Sequence, residues 1–310
     1  MSPIKAWILA SRPKTLTGAA APVLIGGAMA WQSLHGGKFA WNEGDCNILI
    51  PFFLCLLFAF LMQIDANFIN DYFDFKKGTD REDRLGPERA CAQGWITPKA
   101  MKIGIGITTA LSLLVGVGIF MWNYQWELFV VGILCVIFSF LYTTKLSYLG
   151  WGDLLVLVFF GIVPVGFTFY VMTNGFWTLP LAIAGIAMGL ATDNLLMVNN
   201  YRDRNQDAVS GKKTIVVRLI SNKGKKEGEE ICLDLYMWIG VFSTILAFVA
   251  LFLFPYSSIR FPLMLIYLIL HFRAFKKIKS LDGKALNEVL GVTARNIFLF
   301  GLLLAVSCFL

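Results

Sequence analysis

The sequence predicts an all-α, polytopic membrane protein with about nine transmembrane helices. Of its 310 residues, 57% are hydrophobic and 15% are charged, whereas an average soluble domain has about 25% charged residues. The apolar residues are also gathered into long runs, and a helix needs roughly 20 of them to cross a bilayer. An ordinary soluble fold is therefore excluded.

The candidate spans follow one another along the whole chain. Each is an apolar run of helical length that is bounded by polar or charged residues. They lie at residues 14–33, 48–69, 101–122, 127–142, 153–172, 177–199, 235–254, 258–272 and 291–309. An odd number of spans places the two ends of the chain on opposite sides of the membrane.

Basic residues are distributed unequally between the two sides that these spans define. If the N-terminus is inside, the outer segments contain only Lys38 and Arg260, and the remaining basic residues between the spans lie inside. By the positive-inside rule, the N-terminus is cytoplasmic and Leu310 lies on the opposite side. The net charge of +7 is thus a signal of orientation, and nucleic acid is not expected as a partner.

A stripe of polar residues extends from the cytoplasmic end of the second span into the membrane. In "QIDANFINDYFD" its members recur at helical spacings of three and four, which predicts one shared face. They are Gln63, Asn67, Asn70, Asp71 and Asp74. A carboxylate in this position is costly unless a partner or a ligand binds it. The stripe therefore predicts a binding site.

The sixth span ends in the same way. Its stripe contains Asp193, Asn200, Asp203 and Asp207. The pentad N-[DN]-Y-x-D begins at Asn70 and again at Asn199, 129 positions later. Both copies occupy the cytoplasmic end of an even-numbered span, which indicates an internal repeat around one central site.

The residue types at these two ends favour a metal-bridged polyphosphate. Oxygen ligands suit Mg²⁺, which proteins typically hold with one or two carboxylates and the phosphates of a substrate. Basic residues flank both ends, at Arg12, Lys14, Arg81, Arg84, Arg89, Lys145 and the "GKKT" of residues 211–214. A polyphosphate at a membrane surface indicates a lipid diphosphate. Mg²⁺ and cations would stabilise a departing pyrophosphate, and aromatic rings would stabilise the allylic carbocation.

Four motifs resemble the UbiA superfamily of intramembrane aromatic prenyltransferases, over nearly the whole chain. They are "RPKTL" (12–16), "NDYFDFKKGTD" (70–80), "GPERACAQGWI" (86–96) and "NNYRDRNQDAVSGKKTIVVRL" (199–219). The resemblance implies a single domain over residues 1–310, a nine-helix bundle around a central cavity in the bacterial cytoplasmic (inner) membrane. Cytoplasmic cap loops near 75–100 and 200–234 would close the cavity. We expect these loops to become ordered when Mg²⁺ and a diphosphate bind.

Within the superfamily, the motifs are most similar to those of the enzymes that prenylate 1,4-dihydroxy-2-naphthoate. This resemblance implies Mg²⁺-dependent transfer of a polyprenyl group from polyprenyl diphosphate to the ring carbon that bears the carboxylate. Loss of CO₂ then gives demethylmenaquinone for menaquinone synthesis. The implied partners are the diphosphate, the aromatic acceptor and the lipid bilayer, and no protein partner is implied.

The resemblance also assigns roles to single residues. The implied catalytic metal ligands are Asp71, Asp74, Asp203 and Asp207, and the further metal ligands are Asn70 and Asp80. The implied contacts to the diphosphate are Arg12, Lys145, Arg202 and Lys212, with the amides of Asn67, Asn70 and Asn200 beside them. One departure concerns Gly78, which stands where many relatives have an aspartate, so that the next acid arrives at Asp80.

Two alternatives stay open on the residues alone. An ion-coupled transporter would also contain intramembrane acids, but near the bilayer midplane and on broken helices. A prenyltransferase with another acceptor, such as 4-hydroxybenzoate, would retain both acidic motifs and differ only in the lining of its cavity. The choice of dihydroxynaphthoate therefore depends on the resemblance.

Overall fold

The computed structural model describes residues 1–38, 44–78, 84–175, 177–256 and 263–310. Every regular element within these ranges is helical, as the composition predicts. The helices are, in chain order, α1 (Pro3–Ser11), α2 (Pro13–Leu34), α3 (Asp45–Lys77), α4 (Pro98–Asn123), α5 (Trp126–Leu149), α6 (Gly152–Thr173), α7 (Leu179–Val209), α8 (Ile215–Lys223), α9 (Lys225–Leu253), α10 (Met264–Ile278) and α11 (Leu286–Ser307).

Seven helices in the described part of the chain are long and apolar enough to cross a membrane. They are α3, α4, α5, α6, α7, α9 and the helix Gly283–Ser307 that contains α11. The chain is therefore an integral membrane protein, but the count of nine spans is not reached. Helix α2 falls below the apolar content of these seven. Helix α10 has 15 residues, and residues 258–262 of the predicted eighth span lie outside the described residues.

Helix α7 occupies the centre of the bundle. It packs against α2, α6, α8, α9 and α11, and 67% of its most apolar window is buried, whereas the corresponding value for α3 is 11%. Large apolar side chains on α3, α4 and α5, such as Phe53, Ile107 and Phe129, are exposed. In a membrane protein such side chains face lipid. The polar end of α7 is therefore surrounded by protein.

Glycines bring α6 and α7 into close contact. A Cβ atom on Gly161 would lie 2.3 Å from the carbonyl oxygen of Gly185, and one on Gly189 would lie 2.7 Å from that of Leu157. Small residues let membrane helices approach closely, because their association depends on packing. The contact places the beginning of α6 beside the polar end of α7, where a Cβ on Gly152 would lie 3.3 Å from Leu196.

A π-helical segment, Tyr142–Leu146, interrupts α5 near its cytoplasmic end. Such segments insert a residue into the helix and are frequent at functional sites. Here the carbonyl oxygens of Thr143 and Thr144 accept hydrogen bonds from Nζ of Lys77, at 3.2 and 3.0 Å. The end of α3 is thereby fixed to the end of α5.

The two predicted cap loops have different structures. Residues 84–97, hereafter the strap, contain no helix, and the strap ends at Thr97, whose hydroxyl caps α4. The second segment, 200–234, is largely helical, since it contains the end of α7, α8 and the beginning of α9. Helix α8 begins at a cap on Thr214 and buries Val216 in a cluster with α9. Tertiary burial thus orders a segment whose charges suggested a solvated loop.

Candidate active site

A polar cavity of about 190 Å³ lies where the polar ends of α3, α5, α6 and α7 meet the strap. Six residues that were predicted for the site line it: Arg12, Asn70, Asp74, Asn200, Arg202 and Lys212. They come from separate parts of the chain, so the fold brings the two motifs to one place. The volume is below the roughly 300–1,000 Å³ of typical ligand sites. Substrates of the predicted size therefore require the cavity to widen.

The first motif contributes one face of α3 to the cavity. Asn70 Oδ1 accepts a hydrogen bond from Thr143 Oγ1. Asp74 Oδ2 accepts one from Arg89 Nη2 of the strap, at 3.0 Å. Asn70 and Asp74 are four residues apart and so share a helix face. This face points at α5 and at the strap together.

The second motif is organised by a buried arginine. The Arg202 guanidinium donates from Nε and Nη2 to the two carboxylate oxygens of Asp203, at 2.7 and 2.6 Å. It also donates to the side-chain oxygens of Asn199 and Asn287. The amide nitrogen of Asn287 donates in turn to the carbonyl of Leu85 in the strap. Arg202 therefore connects α7, α11 and the strap at the cavity wall.

Lys212 stands between the two motifs. Its Nζ lies 3.2 Å from Asp207 Oδ1, and it also interacts electrostatically with Asp74. Burial lowers the pKa of Lys212, but the negative charges of Asp207 and Asp74 outweigh burial and raise the pKa above its ordinary value. One cation thus faces carboxylates from both helix ends, as the repeated pentad predicts.

Comparison with known proteins agrees with this geometry. A sequence model of the UbiA prenyltransferase family matches residues 19–302, which is most of the chain. The chain belongs to the UbiA prenyltransferase family. The predicted enzyme class is thereby confirmed, and the chain is a prenyltransferase.

Curated relatives of this UbiA family member narrow the comparison. The chain is 37% identical to a protein of Haemophilus influenzae over 72% of its own length and 71% of the relative's. It is 34% identical to a protein of Escherichia coli, over 76% and 77% of the two chains. Both relatives carry the name 1,4-dihydroxy-2-naphthoate octaprenyltransferase.

Two solved structures share the fold of this UbiA family member. A UbiA homolog from Aeropyrum pernix superposes with a TM-score of 0.66 at 12% identity, over 94% of this chain and 97% of that one. A UbiA homolog from Archaeoglobus fulgidus, bound to DMAPP and Mg²⁺, gives 0.60 at 14% identity, over 97% and 99%. At such identities the likeness shows the fold alone.

The members of the predicted stripe on α3 have different contacts in this UbiA family member. Asp71 is 1% exposed and does not line the cavity. Its two carboxylate oxygens accept hydrogen bonds from the backbone N–H groups of Ala90 and Cys91, both at 2.9 Å. Because one residue turns a helix by about 100°, Asp71 lies about 100° around α3 from Asn70 and about 60° from Asp74, at the edge of the stripe. This geometry supports Asp71 as the anchor of the strap rather than as a metal ligand.

Asn67 lies about two helical turns before Asp74 on α3. Its amide nitrogen donates to the carbonyl of Ser11 and to the hydroxyl of Thr15, at 2.9 and 3.0 Å. These acceptors flank the junction of α1 and α2, where Arg12 has a left-handed backbone (φ 50°). A non-glycine residue in this region stores strain that the surrounding structure must maintain. Asn67 therefore fixes the junction that holds Arg12 at the cavity, and it does not line the cavity itself.

Lys145 is a correction to the predicted diphosphate contacts. Its side chain is exposed and does not line the cavity, whereas Thr143 and Ser147 of the same helix do. Asp80, predicted as a metal ligand, lies outside the described residues. Asp203 and Asp207 do not line the cavity themselves. They pair with Arg202 and Lys212, which do line it.

Several cavity residues were not predicted from the sequence. Most come from the "YTTKLSYLGWGD" segment that joins α5 to α6: Tyr142, Thr143, Ser147 and Asp153. The polar letters of this short segment, placed at the same cytoplasmic end as both motifs, were the available signal. The π-helical turn at Tyr142–Leu146 has no signature in the pattern of apolar residues.

The donor set at the cavity fits Mg²⁺. Asn70, Asp74, Asp203 and Asp207 supply oxygen atoms from two helix ends, which is the ligand type that Mg²⁺ prefers. No three acidic, histidine or cysteine side chains in the described ranges are gathered closely enough to hold a metal by themselves. Mg²⁺ does not need three, since it is usually bound by one or two carboxylates, phosphate oxygens and water.

Proposed function

We propose that the protein transfers a polyprenyl group from polyprenyl diphosphate to 1,4-dihydroxy-2-naphthoate, with loss of CO₂, in menaquinone synthesis. The observation that carries the proposal is the meeting of both motifs at Lys212, within a cavity rich in cations. The names of the two curated relatives favour this acceptor over 4-hydroxybenzoate. The position of the acids at one end of the bundle argues against a transporter.

The cations of the cavity suit a diphosphate group. Arg12, Arg84, Arg89, Arg202 and Lys212 line the cavity, and several now neutralise the acids of the two motifs. Mg²⁺, held by Asp74 and Asn70 on one side and Asp203 and Asp207 on the other, would neutralise charge on the departing pyrophosphate. The arginines and Lys212 would then be released from the carboxylates to bind diphosphate oxygens.

The reaction conserves atoms and electrons as follows. The ring carbon that bears the carboxylate forms a bond to C1 of the prenyl chain, and the C1–O bond breaks with its electron pair on pyrophosphate. The bond to the carboxylate carbon then breaks, CO₂ leaves, and the electron pair restores the aromatic ring. The immediate product is the hydroquinone, whose oxidation gives demethylmenaquinone.

The test is product identification with purified protein in lipid. Dihydroxynaphthoate or 4-hydroxybenzoate is supplied with a polyprenyl diphosphate and Mg²⁺, and the lipid product and released CO₂ are measured. We expect a prenylated naphthohydroquinone and one CO₂ per pyrophosphate, with both lost in excess EDTA. If 4-hydroxybenzoate is prenylated and dihydroxynaphthoate is not, the acceptor is different from the one proposed. Uptake of a solute into the lipid vesicles without any prenyl transfer would favour a transporter.

The proposal includes a topology with nine spans in the bacterial cytoplasmic membrane. If α2 and α10 also cross, the N-terminus is cytoplasmic and Leu310 lies on the opposite side, as the charge distribution favours. Reporter fusions test this topology. We expect a cytoplasmic reporter to be active after Lys145 and a periplasmic reporter to be active after Leu310. The reverse pattern would contradict the orientation, and activity of one reporter at both places would contradict the count.

We also propose that the chain acts as a single domain, residues 1–310, whose cytoplasmic segments near 75–100 and 200–234 close over bound substrate. The ion pairs that tie them to the cavity are those that Mg²⁺ and diphosphate would replace. Limited proteolysis with and without Mg²⁺ and geranyl diphosphate tests the closure. Cleavage in both segments should slow when both are present, and an unchanged pattern would contradict it.

A further inference from the structure

One carboxylate on the cavity wall is not engaged by the cations that neutralise the others. Asp74 pairs with Arg89, Asp203 with Arg202 and Asp207 with Lys212. Asp153, the second residue of α6, lines the same cavity. Its Oδ1 is buried and has no hydrogen-bond partner among the described residues. A buried polar atom that lacks a partner is costly, which points to a partner supplied by a substrate.

The charged and titratable groups around Asp153 come from three other helices. Asp193 of α7 is 6% exposed, and its Oδ1 also lacks a partner in the described part of the chain. The negative charge of Asp153 acts on Asp193, and both act on the Tyr142 hydroxyl of α5. Arg218 of α8 also interacts electrostatically with Asp153, but its Nη2 donates to the carbonyl of Leu149, at 2.7 Å.

We propose that Asp153 is the catalytic base that takes the proton of the acceptor's hydroxyl group; this rests on the proposed function. In the proposed function Arg12, Arg202 and Lys212 bind the diphosphate, and Asp153 is a carboxylate of the same cavity whose Oδ1 has no hydrogen-bond partner among the described residues. A base must lie within hydrogen-bond reach of the proton that it abstracts. An acceptor bound between the diphosphate and α6 satisfies this condition.

The proton transfer balances without a further reactant. The O–H bond of the hydroxyl beside the carboxylated carbon breaks, and the proton moves to Asp153 Oδ1. The oxygen becomes a ketone as the ring carbon bonds to C1 of the prenyl chain and pyrophosphate leaves. The resulting β-keto carboxylate loses CO₂, and the enolate oxygen takes the proton back from Asp153. Asp153 therefore returns to its starting state in every turnover.

The test compares Asp153→Asn with Asp153→Glu and with Asp193→Asn. General acid–base catalysis contributes about 10²- to 10⁴-fold, so Asp153→Asn should lower kcat at least about 100-fold at pH 7. Raising the pH should restore much of this loss, because the acceptor then ionises in solution. Asp153→Glu should recover part of the rate. Asp193→Asn, which alters a buried acid outside the cavity lining, should lower kcat less than about tenfold.

Two further measurements separate this proposal from folding and from the proposed function. Stabilisation of Asp153→Asn against heat by geranyl diphosphate and Mg²⁺ should equal that of the wild type. If the wild type prenylates dihydroxynaphthoate and Asp153→Asn keeps a third or more of its kcat, Asp153 is not the base. An equal loss in both asparagine variants, without recovery at high pH, would also overturn the assignment. Absence of product from the wild type would refute the proposed function instead.

Discussion

Lys212 is the residue through which the two acidic motifs meet. Its ammonium lies 3.2 Å from Asp207 and interacts with Asp74 across the cavity. A charge-assisted hydrogen bond contributes about 1.5–3 kcal/mol, so a substrate phosphate that takes over this contact gains substantial affinity. Lys145, which the sequence also predicts as a diphosphate contact, is exposed and away from the cavity.

The two lysines form a matched pair for a kinetic test. Lys212→Gln should raise KM for the prenyl diphosphate about tenfold or more, since about 1.4 kcal/mol corresponds to a factor of ten. Lys145→Gln should change KM less than about twofold, as expected of a surface charge. Steady-state kinetics in lipid check both. Equal effects of the two changes would show that the diphosphate does not bind in this cavity.

The raised pKa of Lys212 predicts how its ion pair responds to pH. A folded-state pKa above the unfolded value means that the stabilisation is fully present below the unfolded pKa, about 10.4 for lysine. It is lost as the pH rises through the higher folded value. The difference in thermal stability between wild type and Lys212→Met should therefore be constant from about pH 7 to 9. A difference that disappears within this range would contradict the raised pKa.

At the scale of elements, the strap depends on Asp71. Two backbone N–H groups of the strap donate hydrogen bonds to its carboxylate, and Arg84 and Arg89 of the strap line the cavity. In Asp71→Asn an amide NH₂ would face a backbone N–H, leaving a buried donor unpaired at about 1–3 kcal/mol. We expect faster proteolysis within residues 84–97 and a raised KM for the diphosphate.

Asp207→Asn is the control for this prediction. It removes a carboxylate that pairs with Lys212 and, within the described part of the chain, has no hydrogen bond or ion pair to the strap, so proteolysis of the strap should match that of the wild type. If Asp71→Asn left the strap as resistant to proteolysis as in the wild type and only raised the Mg²⁺ concentration needed for activity, Asp71 would be a metal ligand.

The contact between α6 and α7 depends on the absence of side chains. In Gly161→Ala the new methyl group would meet the backbone of Gly185 at 2.3 Å, and such overpacking costs about 1–3 kcal/mol. Gly118→Ala of α4 has nothing within 4 Å of the new Cβ and should be neutral or slightly stabilising. Thermal unfolding in detergent compares the two. Equal midpoints would show that α6 and α7 are not closely packed.

At the scale of the whole molecule, the cavity is closed by pairs between its own acids and bases. Mg²⁺ alone must compete with the arginines and Lys212, and diphosphate alone must compete with the aspartates. We therefore expect the two together to stabilise the protein against heat more than the sum of their separate effects. Saturation at 100 times Kd would contribute about 2.7 kcal/mol. Purely additive stabilisation would show that they bind independently.

Much of the whole molecule was readable from the residues. Apolar runs indicated the seven long helices, and the repeated pentad indicated that the ends of α3 and α7 meet. The apolar runs did not indicate helix α8 or the start of α9. These segments are ordered because Val216 and its neighbours are buried against other helices. The stripe on α3 does form one arc of the helix, but spacings of three and four do not indicate which of its members line the cavity and which bind other segments.

The sequence by itself determined the class of fold, the family and the pairing of two acidic helix ends, because each depends on local composition or on a repeated motif. Only the tertiary structure decided which members of each stripe face the cavity, since Asp71 and Asn67 bind partners that are distant in sequence. It also brought Asp153 to the cavity, on a helix that packs closely against α7 through glycines. Such choices depend on packing between helices, which no single stretch of sequence contains.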